Sequence, residues 1–123
     1  MRKKSEIIKE FLDMVAESSH QLEWASEERS KQEKLTQDLL HKLELGGYKD
    51  RNRVATQLAH CRQERRYYKD IEEECEIVAE WAASTAGALS INLLRKSLGD
   101  MRKVEKYHAK RSYKPRVLKE EGE

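Results

Sequence analysis

The chain has 123 residues, of which 37% are apolar and 39% charged, with 25 Lys and Arg against 23 Asp and Glu. That length allows one small domain, and the low apolar share makes core volume scarce. A net charge of +2 excludes the basic excess of a general nucleic-acid binder, and periodic Leu, Ile and Val with nearly cancelling charge exclude a disordered chain.

Ile7, Ile8, Phe11, Met14, Val15, Leu22, Leu35, Leu39, Leu40 and Leu43 recur at three and four positions, which predicts a first helix over about 4–45. The stretch 26–34, SEERSKQEK, has no apolar side chain, so the helix is expected to be solvated all round there or interrupted. Gly46 and Gly47 can adopt left-handed conformations that end a helix, and Asp50 suits the N-cap of the next. A long antiparallel helical hairpin follows.

The second helix, about 50–82, carries the clearest period: Val54, Leu58, Cys61, Arg65, Tyr68, Ile71 or Glu72, Cys75, Val78 and Ala82. Arg65 falls on that seam, beside Arg62, Arg66, Tyr67 and Tyr68. An arginine there needs a carboxylate or a bound anion, because an unpaired buried charge costs several kcal/mol. Interhelical pairing with Glu17, Glu23, Glu27 or Glu28 is the plain expectation for Arg62 and Arg66, whereas for Arg65 pairing and phosphate binding stand equally open. Cys61 and Cys75 lie roughly 21 Å apart on one helix and cannot pair, which points to a reducing, cytoplasmic context.

Small residues at 82–90, AASTAGALS, predict a bend, after which a third, shorter helix of about 90–108 begins at Ser90. Ile91, Leu94, Leu98 and Met101 share its inner face, and Gly99 with Asp100 marks a potential break. Pro115 favours an extended arm over 111–118. The expected class is therefore mainly α, a single domain, with more apolar stripe than one copy can cover and hence homo-oligomeric, a dimer or larger, up to a hexamer. The basic start meets acidic residues at once, unlike a signal peptide, and no run of about 18 apolar residues is present, so no membrane role is expected.

The four histidines are scattered with no HxxxH, ExxH or CxxC spacing, so neither a metal nor a cofactor is expected. No serine or cysteine stands on a Gly-flanked turn beside a base, so no catalytic residue is assigned and the chain is read as not an enzyme. Anion and base binding is the better prospect. In an extended arm Arg111 and Tyr113 point to one side and Arg116 to the other, positioned to close over a ligand held against Trp81 and Asn92. The amide of Asn92 can donate and accept toward a base or ribose edge.

The order EKLTQDLLHKLEL (33–45), RNRVATQLAHCRQERRYYKD (51–70), INLLRKSLGDMRKVE (91–105) and RSYKPRVL (111–118) resembles the phage Thoeris anti-defence sponges of the first named class. That resemblance implies a non-catalytic protein of the host-cell cytoplasm that sequesters a cyclic ADP-ribose immune signal and assembles into oligomers. Cyclic oligonucleotides would be held at separate sites. It gives the ADP-ribose roles to Trp81, Asn92, Arg111 and Arg116, with Trp81 where the family has a phenylalanine, and a second ligand site to Gly47 and Arg65. The alternative function is a helical interaction module of phage or mobile-element origin that blocks a host protein through a helix face. Binding of a specific nucleic acid is not expected.

Overall fold

The computed structural model describes residues 1–46 and 51–112, which form three helices: α1 (Lys4–Leu45), α2 (Arg51–Ala83) and α3 (Thr85–Lys110). The protein is mainly helical, and the described residues contain no strand. Tyr113 and Arg116, with the rest of the expected arm beyond Ser112, lie outside the described residues, as do Gly47 and Asp50.

Two expectations for α1 are corrected. The helix runs unbroken through 26–34, and that stretch is not solvated all round, since Glu28, Arg29, Ser30, Gln32 and Glu33 are half-buried. Gly46 ends the helix in extended backbone, φ −84°, with its N–H donating to the Lys42 carbonyl at 2.8 Å. Gly46 thus caps one of the terminal carbonyls, that of Lys42, without a left-handed conformation, and Gly47 lies outside the described residues.

The inward positions of α1 run Ser5, Ile8, Leu12, Val15, Ser18, Leu22, Ala25, Arg29, Gln32, Thr36, Leu39 and Leu43. From Ser18 onward the step alternates four and three, while Leu12, Val15 and Ser18 step three and three, which overwinds the stripe locally. Ser18 sits at that point with its Oγ donating to the Met14 carbonyl at 2.8 Å. Facing them on α2 are Val54, Leu58, Cys61, Tyr68, Glu72, Cys75, Ala79 and Ala82. Contacts pair opposite ends of the two helices: Leu39 clusters with Val54 and Cys61, Trp24 meets Tyr68 at 5.4 Å between rings, and Phe11 meets Trp81 at 6.1 Å. So many small residues on the seam leave little apolar volume; among the described residues Val54 is the one large side chain below 2% exposure.

The bend after α2 is sharper than the sequence predicts. α3 starts at Thr85, five residues before the expected start, and leaves α2 at 80° across the single residue Ser84. Ser84 serves both helices: its Oγ donates to the Trp81 carbonyl at 2.6 Å and accepts from the Gly87 N–H at 3.0 Å. Ser90 is not a cap; its hydroxyl bonds back to the Ala86 carbonyl inside α3. The low-propensity residues are tolerated because they fill a capped first turn, where helix propensity weighs least. Gly99 and Asp100 do not break α3, whose inner face carries Gly87, Ile91, Leu94, Leu98, Met101 and Glu105. Glu105 Oε2 accepts from Ser5 Oγ at 2.9 Å, tying α3 to the start of α1. No single described helix is long and apolar enough to cross a membrane; only α2 and α3 taken together across their bend contain such a stretch.

Gly87 is the residue this elbow demands. A Cβ there would stand 1.7 Å from the Trp81 carbonyl oxygen and 2.6 Å from its carbon, whereas one at Gly99 would meet nothing within 4 Å. Gly87→Ala is therefore expected to destabilise by about 1–3 kcal/mol, because backbone must move. Gly99→Ala is expected to be neutral or to stabilise by up to about 1 kcal/mol. Thermal melts followed by circular dichroism check both; equal effects of the two variants would contradict the close approach.

Candidate functional site

Two regions gather the residues that the sequence singles out. The first lies midway along α1 and α2. Arg65 Nε donates to Glu33 Oε1 at 3.1 Å, Arg29 Nη1 reaches the same carboxylate oxygen at 3.3 Å, and Arg29 Nε donates to Glu72 Oε1 at 3.0 Å. Four alternating charges thus cross the two helices. The expected interhelical carboxylates Glu17, Glu23, Glu27 and Glu28 are not the partners of Arg65, because the register of the contact brings Glu33 opposite it. The Arg29 guanidinium is held above its ordinary range first by the hydrogen bond to Glu72, with burial opposing.

Arg65 therefore has a carboxylate and is not a stranded charge awaiting an anion. Beside it, Arg62, Arg66 and Lys69 are exposed on α2, and with Arg65, Asp70 and Glu73 they border a groove of ≈ 430 Å³. Three cations in that groove make no ion pair within 4 Å among the described residues. Tyr67 is exposed, whereas Tyr68 is half-buried edge-on against Trp24. Desolvation, then the charges of Glu64 and Glu28, push the Tyr68 phenol up. Of the expected cluster, Arg62, Arg66 and Tyr67 present free polar groups, Arg65 presents a shared one, and Tyr68 belongs to the seam.

The second region is the elbow. Trp81 packs edge-on against Phe11, with ring planes at 71°, and lines an apolar groove of ≈ 230 Å³ with Phe11, Met14, Val15, Ile77 and Val78. Asn92 is exposed on α3, and Arg111 is the C-cap residue of the same helix. Residues 93–110 of continuous helix separate Asn92 from Arg111, about 28 Å at about 1.5 Å per residue. One copy therefore does not bring Trp81, Asn92 and Arg111 together. The arm residues Tyr113 and Arg116, and Gly47 of the second expected site, lie outside the described residues, so their relation to Trp81 or Arg65 has no structural description.

Sequence reasoning overlooked Arg29, Glu33 and Glu72 as a unit and Phe11 as the neighbour of Trp81. A signal existed for the first: continuing the three-four step through Leu22 and Ala25 lands on Arg29, a charged seam position just like Arg65. Among the described residues no group of three His, Cys, Asp or Glu could hold a metal ion. No protein-family model, curated protein or solved structure matches the chain.

Cys75 is buried with its Sγ donating to Gln21 Oε1 at 3.6 Å, and burial, reinforced by the charge of Glu74, pushes its thiol up. The folded thiol thus keeps its proton where the unfolded one has lost it. Its contribution to stability is whole below the unfolded pKa, about 8.5, and is lost as pH rises through the higher folded value. Urea titrations between pH 7.5 and 10 are expected to show a smaller loss of stability for Cys75→Ala than for the parent chain; equal losses would contradict the assignment.

Proposed function

We propose that the chain is a non-catalytic binding protein in which α1 and α2 form an antiparallel hairpin, copies assemble, and the assembly sequesters an anionic cyclic nucleotide signal. The signal class is a cyclic ADP-ribose isomer of the kind used in anti-phage defence, with cyclic oligonucleotides as a second candidate cargo. The observation that carries this reading is the groove on α2, where Arg62, Arg66 and Lys69 stand exposed without carboxylate partners among the described residues, with the exposed ring of Tyr67, edge-on to Tyr68, next along the helix. Guanidinium forks suit a diphosphate, and an aromatic face suits a base. Sequestration asks only for affinity, so it requires no acid, base or nucleophile.

Assembly is part of the proposal for two reasons. Ile7, Met14, Leu40, Ile77, Leu89 and Leu93 stay exposed in a single copy. A site using Trp81, Asn92 and Arg111 together also needs Arg111 from another copy, given their separation along α3. A second reading, a helical module that docks on a host protein, is favoured by the exposed apolar groove at Phe11, Met14 and Trp81.

Native mass spectrometry of the chain with cyclic ADP-ribose isomers, cyclic di- and trinucleotides and a short DNA tests the proposal. A multimer that gains whole-number copies of one cyclic nucleotide is the expected result. Arg62→Ala/Arg66→Ala should weaken retention at least tenfold without lowering the melting temperature, since both side chains are exposed. Absence of every cyclic nucleotide at micromolar concentration, with capture of a host protein in its place, would favour the second reading.

A further inference from the structure

Net charge conceals how the charges are laid out around the elbow. Residues 70–76 carry five carboxylates and no Lys or Arg, residues 77–94 carry Glu80 alone, and residues 95–111 carry seven Lys and Arg against two carboxylates. The structure places these three blocks on two helices that diverge at 80° from Ser84. Asp70, Glu73, Glu74 and Glu76 on one side are exposed, as are Arg95, Lys96, Arg102, Lys103, Lys106, Lys110 and Arg111 on the other. Between them in the chain the elbow shows water Ile77 at 73%, Leu89 at 60% and Leu93 at 56% exposure, and Ile77 also lines the groove of Trp81 and Phe11. None of those seven cations lies within 4 Å of a carboxylate among the described residues.

An apolar centre with acid on one flank and base on the other is self-complementary. A two-fold axis lying across the acid-to-base direction sets the acidic flank of one copy on the basic flank of its partner and apolar centre on apolar centre. Two free monomers leave both the apolar side chains and the unpaired charges in water, whereas the pair covers the first and matches the second. A host protein would need this same layout in mirror order, which a second copy supplies by symmetry.

We infer that the elbow, Ile77–Leu94 with its acidic and basic flanks, is the contact through which two copies of the chain pair. This rests on the assembly part of the proposed function and names the surface that makes it; nucleotide binding is not required for it.

The test is sedimentation equilibrium of the full chain without nucleotide, at about 50 mM and about 500 mM salt, because screening shortens the reach of exposed charges from more than about 10 Å to less than half of that. The parent chain is expected to pair at low micromolar concentration, with Kd rising at least tenfold at high salt. Glu73→Lys/Glu76→Lys and Lys96→Glu/Lys103→Glu should each weaken pairing at least tenfold with helicity unchanged. An equimolar mixture of the two variants should recover it, because each then offers the other an opposite flank on both sides. Leu89→Asp/Leu93→Asp should abolish pairing. A monomeric parent chain at 100 micromolar would overturn both this surface and the assembly. A multimer whose mass is unmoved in all three variants, or a mixture that fails to recover, would overturn this surface and leave the assembly standing.

Discussion

The fold depends on a band of charge set into a seam that is poor in apolar volume. With Ser5, Ser18, Ala25, Cys61, Cys75, Ala79 and Ala82 at inward positions, α1 and α2 approach each other with few large side chains to lock their register. A repeating seam of small residues tolerates a slip by one heptad. The ladder Arg65–Glu33–Arg29–Glu72 forbids it. Moving α2 by seven residues one way sets Arg65 against Arg29, and moving it the other way sets Glu72 against Glu33. Either slip replaces attraction with like-charge contact on partly covered side chains, so the polar band trades some stability for a single alignment.

From that alignment the rest of the geometry follows. It brings the Phe11 ring to Trp81 and Trp24 to Tyr68, so that aromatic pairs clasp the seam from the charged band toward the start of α1, while Leu39, Val54 and Cys61 close it on the other side. It also sets where α2 ends relative to α1, and hence where α3 departs. At that departure Ser84 and Gly87 make a one-residue turn, and Glu105 fastens α3 to Ser5. The cations at 62, 66 and 69 face outward because their positions on α2 lie off the seam, and Arg65 beside them is held by Glu33.

Much of the helix layout was legible in the amino-acid sequence, and the reason is periodicity. The seam of α2 at Val54, Leu58, Cys61, Cys75 and Ala82 and the inner face of α3 at Ile91, Leu94, Leu98 and Met101 are plain apolar patterns. What periodicity misreads is a seam position that is not apolar. Arg29, Gln32 and Thr36 continue the stripe of α1 with polar side chains, so 26–34 looked like a gap when it was the centre of the contact. Local composition misled at the elbow for a different reason: Ala, Ser, Thr and Gly signal a bend but not its width, which capping by Ser84 narrows to one residue. The candidate site was legible only as residue types. That one unbroken helix holds Asn92 and Arg111 far apart depends on α3 passing through Gly99 and Asp100, where the sequence offered a break.

The central claim is that Arg29 and Glu72 are coupled across the two helices and fix their alignment. A double-mutant cycle of Arg29→Met, Glu72→Met and the pair, read by urea unfolding, measures that coupling directly. Arg29→Met strands the largely covered Glu72 carboxylate, and Glu72→Met leaves Arg29 with Glu33 alone, so the account predicts losses of about 1–2 kcal/mol apiece and a double variant less destabilised than their sum by at least about 1 kcal/mol. Effects that add to within about 0.3 kcal/mol would show that the two residues do not meet, and would contradict the alignment on which the elbow, the groove and the pairing surface all rest.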